Sequence, residues 1–416
     1  MTLTTPQRQL LADAALRERA SAVVPGGVYG HMSVMRQMPP SYPQFYTSGS
    51  GARVIDVDGN EYIDFMCAFG PMIAGYANPV IDAAAREQQL LGDALAGPTP
   101  HFVALAELLV ETVAHAEWAM FAKNGTDATS IAVVTARAAT GKTKLLKARK
   151  SYHGANAWFT PAPAGVTAAD RANIIEFDYN DVASVEAAVA EAGGDVAAII
   201  VTPYRHDGLT DQEYATAEFA AGVRAIATRI GAALILDEVR TGFRLDAAGA
   251  WEQYGVRPDL TAFSKGIANG YALAAVVGVD AFKQAASEIY VTGSFWMGGV
   301  AMAAAVATIE VLTSGGGIAA MTSAGHAFRA GIQTQAKAHG FTVIQTGPVT
   351  MPFLRFENDA ELTTVFAFTD AAIRRGVIMH PWHNMFLSSA HTDDDIRTAL
   401  ERTDDAFAET RSLFPL

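Results

Sequence analysis

Leu234-Ile235-Leu236-Asp237-Glu238-Val239, followed by Ala262-Phe263-Ser264-Lys265-Gly266, is the stretch that decides the fold. An apolar run ending in Asp reads as a buried strand that delivers a carboxylate at its C-terminal end, where open α/β sheets bind their ligands. A second strand-like run then delivers a single amine. The same acidic pair also fits a magnesium-binding carboxylate, and a lysine after a strand fits a solvated surface, so the surrounding chain has to decide.

Outward from that pair, short apolar runs alternate with longer helical stretches. Strands are expected near 118–122, 143–149, 173–177, 196–201, 232–237, 261–263 and 273–278, which implies a mostly parallel sheet with helices on both faces. Helical spacing covers 80–92 and 101–114, and an Ala-rich helix runs from about Trp296 to Leu312. Near the N-terminus a helix is expected over 5–21, ended by Pro25-Gly26-Gly27, and 28–50 reads as a long packed loop. Arg53-Val54-Ile55-Asp56-Val57 and Glu61-Tyr62-Ile63-Asp64-Phe65 flank Asp58-Gly59-Asn60 as a hairpin. Ser314-Gly315-Gly316-Gly317 marks a boundary, and the last hundred residues read as strand, strand, helix, strand, strand, helix. The expected organisation is a segment 1–50 contributing to a small domain, a large domain 51–315, and a C-terminal small α+β domain 316–416.

Composition narrows the function. The chain has 416 residues, half of them apolar and 18% charged, with a formal charge of −13. That balance argues for a globular protein acting on small molecules and against a nucleic-acid or anionic-membrane surface. Residues 1–11 lack the apolar core of a secretory signal, and no run approaches the ~20 residues of a spanning helix, so a cytoplasmic protein is expected. Cys67 is the sole cysteine, which excludes intrachain disulfides and favours a packed thiol over a nucleophile. His380 and His383 with Asp393–Asp395 lack a ligand framework, so no metal site is expected.

The candidate site residues fall at successive strand ends. Asn124-Gly125-Thr126-Asp127 closes one strand and opens a helix, offering glycine, a hydroxyl and a helix N-terminus to a phosphate, or simply a helix cap. Tyr152-His153-Gly154 follows the next strand, where an aromatic could stack on a planar ring or pack in the core. One crevice would collect these with Asp237 and Lys265. Pyridoxal 5'-phosphate needs such a set: an amine to form a Schiff base, and an anion beside the pyridine nitrogen that keeps the ring an electron sink.

The run Asp237-Glu238-Val239-Arg240-Thr241-Gly242-Phe243-Arg244, with Tyr254-Gly255-Val256-Arg257-Pro258-Asp259-Leu260 and Ser264-Lys265-Gly266, resembles the class III aminotransferases among the fold-type I pyridoxal phosphate enzymes. Pro25-Gly26-Gly27-Val28, Asp56-Val57-Asp58-Gly59-Asn60, Gly70-Pro71-Met72-Ile73 and Ala390-His391-Thr392 extend the similarity, most of all to the glutamate-1-semialdehyde aminomutase branch. The resemblance implies catalytic roles for Lys265, as Schiff-base lysine and proton shuttle, and for Asp237, as pyridinium partner. It implies cofactor contacts from Gly125 and Thr126 on the phosphate, Val239 and Tyr152 on the ring faces, and His153 beside them. It also implies a homodimer in which Ser294, where the family has threonine, completes the partner's phosphate site.

Substrate contacts depart from the aminomutases. Ser33 stands where they carry a carboxylate-binding arginine, with Arg36 three residues on. Phe69 replaces a tryptophan, and His383 and Asn384 fall where an acidic gate is expected. An aminotransferase acting between an amine or amino acid and a keto acid, aldehyde or ketone is therefore favoured, with intramolecular transfer by an aminomutase as the alternative. Arg205 is a second candidate for a carboxylate clamp, and Tyr29, Phe69, Trp382 and His383 could line an apolar substrate pocket. A P-loop phosphotransferase fails because Ala136 stands where Gly141-Lys142-Thr143 would need an earlier glycine. A non-catalytic relative is disfavoured by retention of Lys265 and Asp237.

Overall fold

The computed structural model describes residues 8–33, 38–162 and 164–415. The chain forms two compact units, Met1–Asn78 with Ala319–Leu416, and Pro79–Ile318.

The Pro79–Ile318 unit is built on a seven-stranded sheet. Its strands lie in the order Trp118–Ala122, Ala274–Gly278, Leu260–Phe263, Ala233–Asp237, Val196–Val201, Lys144–Ala148, Ile174–Phe177. Ala274–Gly278 is antiparallel to both neighbours and the other six run parallel. Val196–Val201 and Ala233–Asp237 are buried at every position. That double-sided burial explains why these strands read as continuous apolar runs rather than alternating ones. One apolar layer, with Phe177, Phe219 and Trp251, and another, with Ile131, Ile200 and Ile235, pack as separate clusters.

Local chemistry sets the helix that follows the first strand. The Asn124 side chain accepts the Asp127 N–H and the Asp127 carboxylate accepts the Asn124 N–H, a reciprocal cap at the start of Gly125–Thr140. Gly141, at φ 66°, ends it in the left-handed conformation that a residue with a Cβ rarely adopts.

In the other unit a four-stranded sheet runs Tyr46–Ser50, Arg53–Asp56, Glu61–Asp64, Val377–Ile378, the last pair parallel. That pairing is why 51–78, read from sequence as part of the large domain, group with the C-terminal segment. Phe65, Phe328, Phe368 and Phe407 lie in its core.

Two further differences have physical causes. The C-terminal unit opens not on a strand but on the helix Gly317–Ala338, and Val377–Ile378 is the one strand between Thr363–Arg374 and Asp393–Leu413. Gly325 and Gly331 weaken the helical pattern of the long helix on paper. In the structure they let its backbone approach the Val349 carbonyl and the Leu400 side chain. The strand Tyr46–Ser50 was hidden in the loop reading because its burial pattern is almost wholly exposed.

Cys67, Ala68 and Phe69 take φ of 46°, 54° and 63°, a left-handed turn of three residues that each carry a Cβ. Such residues cost roughly 1–2 kcal/mol apiece. The Asp64 carboxylate offsets this by accepting the Met66 and Cys67 N–H groups at 2.7 and 3.1 Å and the Tyr76 hydroxyl at 2.6 Å. The Cys67 thiol is buried and donates to the Phe386 carbonyl at 3.4 Å and the Asp64 carbonyl at 3.6 Å. Among the described residues no single helix is long and apolar enough to cross a membrane.

Candidate active site

Parallel strands put the carboxylate and the amine side by side. Asp237 pairs in register with Ala262, so the turn after Phe263 brings Lys265 to the same end of the sheet. One Asp237 oxygen accepts the Val239 N–H at 3.0 Å and the other meets His153 Nδ1 at 2.8 Å, both side chains being buried. With Asp237 ionised, Nδ1 must carry the proton of that bond. His153 Nε2 is buried without a hydrogen-bond partner among the described residues, and the ring meets Phe159 edge-on. Thr129 Oγ1 donates to the His153 carbonyl at 2.6 Å and anchors its backbone.

Lys265 sits at φ 44°, a left-handed position for a residue with a long side chain. Burial, and then the Arg240 guanidinium, hold its amine down at about 8, with Asp237 opposing. Burial and then Asp237 raise the Tyr152 hydroxyl. His206 is driven well down by burial first, then by Arg240, with His153 and Lys265 adding to the effect. Lys265, Val239, Arg240 and His206 nonetheless keep some exposed surface. Strong desolvation combined with residual exposure marks side chains that line a recess.

At its rim lies the start of the Gly125–Thr140 helix. The first N–H groups of a helix have no partner within it, and the helix dipole places positive charge there. A Cβ built on Gly125 would stand 2.7 Å from Val239 Cγ1, and one on Gly154 3.0 Å from Thr126 Oγ1. Both glycines therefore let Val239 and Thr126 pack closer to the backbone than a residue with a Cβ would allow. Thr126 Oγ1 accepts the Ala155 N–H at 3.0 Å, which leaves its own proton for a ligand. A flat ring with a phosphate fits this set of residues: helix N-terminus and hydroxyl for the anion, Val239 and Tyr152 at its sides, Asp237 and Lys265 beyond.

The other expected residues are distributed differently. Ser294 is exposed within a loop where Tyr290, Phe295 and Met297 are exposed too. Arg205 faces Glu213 at 3.2 Å and Asp207 at 3.8 Å, and donates to the Asp211 carbonyl at 3.4 Å. In the other unit Phe69 packs edge-on to His383 and His380, with Trp382 against His380 at 4.7 Å between centroids. His380 Nδ1 accepts the N–H groups of Trp382 and His383, and burial pushes its pKa down to about 3. Tyr29 is exposed, and Arg36 lies outside the described residues. The sequence reading did not single out Arg240 or His206. Arg240 had a signal, since it lies one position past Val239 in the same turn; His206 had none beyond its place after a strand.

A fold-type I transferase that brings a carboxylate, a desolvated amine and a helix start to one end of its sheet defines the class, and comparison with known proteins agrees. The model of the family Aminotransferase class-III matches residues 35–407. The chain belongs to the class III aminotransferases, which use pyridoxal phosphate. It is 46% identical to the aminopentol aminotransferase of Sphingopyxis macrogoltabida over 94% of this chain and 93% of that one. Identity to the glutamate-1-semialdehyde 2,1-aminomutase of Chloroherpeton thalassium is 31%, over 94% and 96%. Among solved structures, the PLP internal aldimine form of the FumI protein of a Sphingopyxis species matches with a TM-score of 0.95 at 45% identity, covering 97% of this chain and 98% of that one.

Proposed function

We propose that this aminotransferase moves an amino group between an amine or amino acid and a keto acid, aldehyde or ketone, with Lys265 and Asp237 as its catalytic residues. The observation that carries the reading is the Lys265 amine, held down near 8 at the sheet end it shares with the His153-bound Asp237 carboxylate.

Pyridoxal phosphate, when bound, supplies an electron sink for the charge left on a substrate carbon that loses its proton. Gly125 and Thr126 would hold its phosphate at the helix start, Val239 and Tyr152 would flank its ring, and Asp237 would face the ring nitrogen. His153 and the Val239 N–H fix the Asp237 oxygens in place. Lys265 Nζ would hold the cofactor and, as a neutral amine, would take the proton from the amine-bearing carbon of the substrate. An amine near 8 is neutral in a useful fraction at neutral pH, which an ordinary lysine is not.

Ser294, exposed beside Tyr290, Phe295 and Met297, suits a hydroxyl lent to a second copy across an apolar contact, so we take the working form as a homodimer. Borohydride reduction of the yellow protein followed by peptide mapping should label Lys265; a label on another lysine would refute the assignment. An amine panel with pyruvate should yield alanine. Isomerisation of an amino aldehyde with no transfer to any acceptor would favour the aminomutase instead.

A further inference from the structure

We propose that Ser264 and Tyr271 are positioning residues for Lys265: the first ties the base of the turn that carries it, and the second ties the far side of that turn to Asp82. The inference rests on the aminotransferase reading above and adds to it the groups that fix where the amine stands.

The turn begins where a β ladder stops. Leu260–Phe263 and Ala274–Gly278 run antiparallel with Phe263 opposite Ala275, so residues 264–273 leave the sheet and return to it as one loop. Ser264 Oγ donates to the Leu273 carbonyl at 3.0 Å, a rung made by a side chain just past the last backbone pair. Inside the loop the Ile267 N–H donates to the Ser264 carbonyl at 3.1 Å, and the Tyr271 N–H to the Ala268 carbonyl at 3.0 Å. Lys265 at φ 44° and Asn269 at φ 45° are left-handed within it although both carry a Cβ. Such a backbone relaxes unless the structure around it over-determines it.

The far side of the loop has its own tie. The Tyr271 hydroxyl donates to the Asp82 carboxylate at 2.9 Å, across 189 positions of sequence. Burial, and then that bond, push the hydroxyl up to about 12, so it keeps its proton at neutral pH. Asp82 stands in the first turn of Pro79–Leu91, a helix that buries Ile81, Ala85 and Gln88. That helix and the Lys265–Ala268 turn both pack on Gly299–Thr313, so the bond joins the lysine's turn to a fixed element. A lysine side chain is flexible, so the anchored backbone is what limits where its amine can go. Proton transfer needs that amine within hydrogen-bond reach of one carbon, and a misplacement of about 1 Å can cost about 100-fold. Ser264 and Tyr271 act through the backbone of Lys265 rather than on the reacting atoms.

The test uses Tyr271→Phe, Ser264→Ala, Asp82→Ala, Asp82→Asn and the double variant Tyr271→Phe with Asp82→Ala. In the apoproteins, hydrogen exchange read by mass spectrometry should quicken about 10-fold in the peptide spanning 264–273 of Tyr271→Phe and Ser264→Ala, the scale of one lost hydrogen bond, and stay at wild-type rates elsewhere. In the holoenzymes, alanine without an acceptor gives a single turnover, and alanine deuterated at its α-carbon identifies the proton-transfer step. That step should slow about 10-fold in Tyr271→Phe, Ser264→Ala and Asp82→Ala, with the cofactor band and the dissociation constant of alanine close to wild type. Asp82→Asn keeps an acceptor oxygen and should recover most of what Asp82→Ala loses, and the double variant should be no slower than Tyr271→Phe alone. An unchanged proton-transfer rate, weaker alanine binding with the rate retained, or additive losses in the double variant would each overturn the inference and leave the aminotransferase reading intact. So would exchange that quickens nowhere, or equally throughout the chain. A wild type that takes up no cofactor and moves no amino group would sink both.

Discussion

Replacing Lys265 by Met should abolish turnover and at the same time stabilise the cofactor-free protein. The amine sits near 8 in the folded chain against an ordinary 10.5, so the unfolded chain holds the proton more tightly. At pH 7 both states are protonated, and the folded one carries the whole penalty of a desolvated cation, roughly 3 kcal/mol at about 1.4 kcal/mol per pH unit. Above 8 the folded chain sheds its proton first, and the penalty shrinks to roughly 1 kcal/mol at pH 10. Methionine keeps the length of the chain and its Cβ, so the left-handed backbone at φ 44° is no more strained than before. For a chain of this size the unfolding entropy is about 0.9 kcal/mol/K, which converts the difference into a melting temperature about 3 °C higher at pH 7 and about 1 °C higher at pH 10. Calorimetry on the two apoproteins at both pH values measures it. A variant no more stable than wild type at pH 7, or a gap that does not narrow with rising pH, would refute the burial argument.

Three other outcomes follow from the same geometry. His153→Leu removes the partner of a buried Asp237 oxygen and should lower kcat about 10- to 100-fold while the protein still binds cofactor, read by steady-state rates and absorbance. Gly125→Ala drives a methyl group to 2.7 Å from Val239 Cγ1, so cofactor affinity measured by spectral titration should fall about tenfold or more. Glu238 is raised to about 7 by burial, so the stability it lends is present below its ordinary 4.5 and lost as pH rises through 7. Glu238→Gln should therefore stabilise the protein by roughly 2–3 kcal/mol at pH 8 and by much less at pH 5, which denaturant unfolding at the two values checks.

Much of the site was legible because its signals are short. An apolar run ending at Asp237, another ending before Lys265, and Asn124-Gly125-Thr126-Asp127 each declare a strand end or helix start within a few residues. The same holds for the Asp58-Gly59-Asn60 hairpin. Where local rules are broken for a tertiary reason, the reading failed: Gly325 and Gly331 look like helix breakers until Val349 and Leu400 are seen against them, and nothing in Cys67-Ala68-Phe69 announces a left-handed turn.

By itself the amino-acid sequence determined the strands, the order of the catalytic candidates and the class of enzyme, since hydrophobic period and turn chemistry act over a handful of positions. Only the tertiary structure decided that His153 holds Asp237 across 84 positions, that Arg240 comes near enough to Lys265 to lower its amine, and that Arg205 is turned toward its own acidic neighbours. Those pairings depend on which strands lie side by side and on how deeply each charge is taken from water, and both are settled by the assembled sheet.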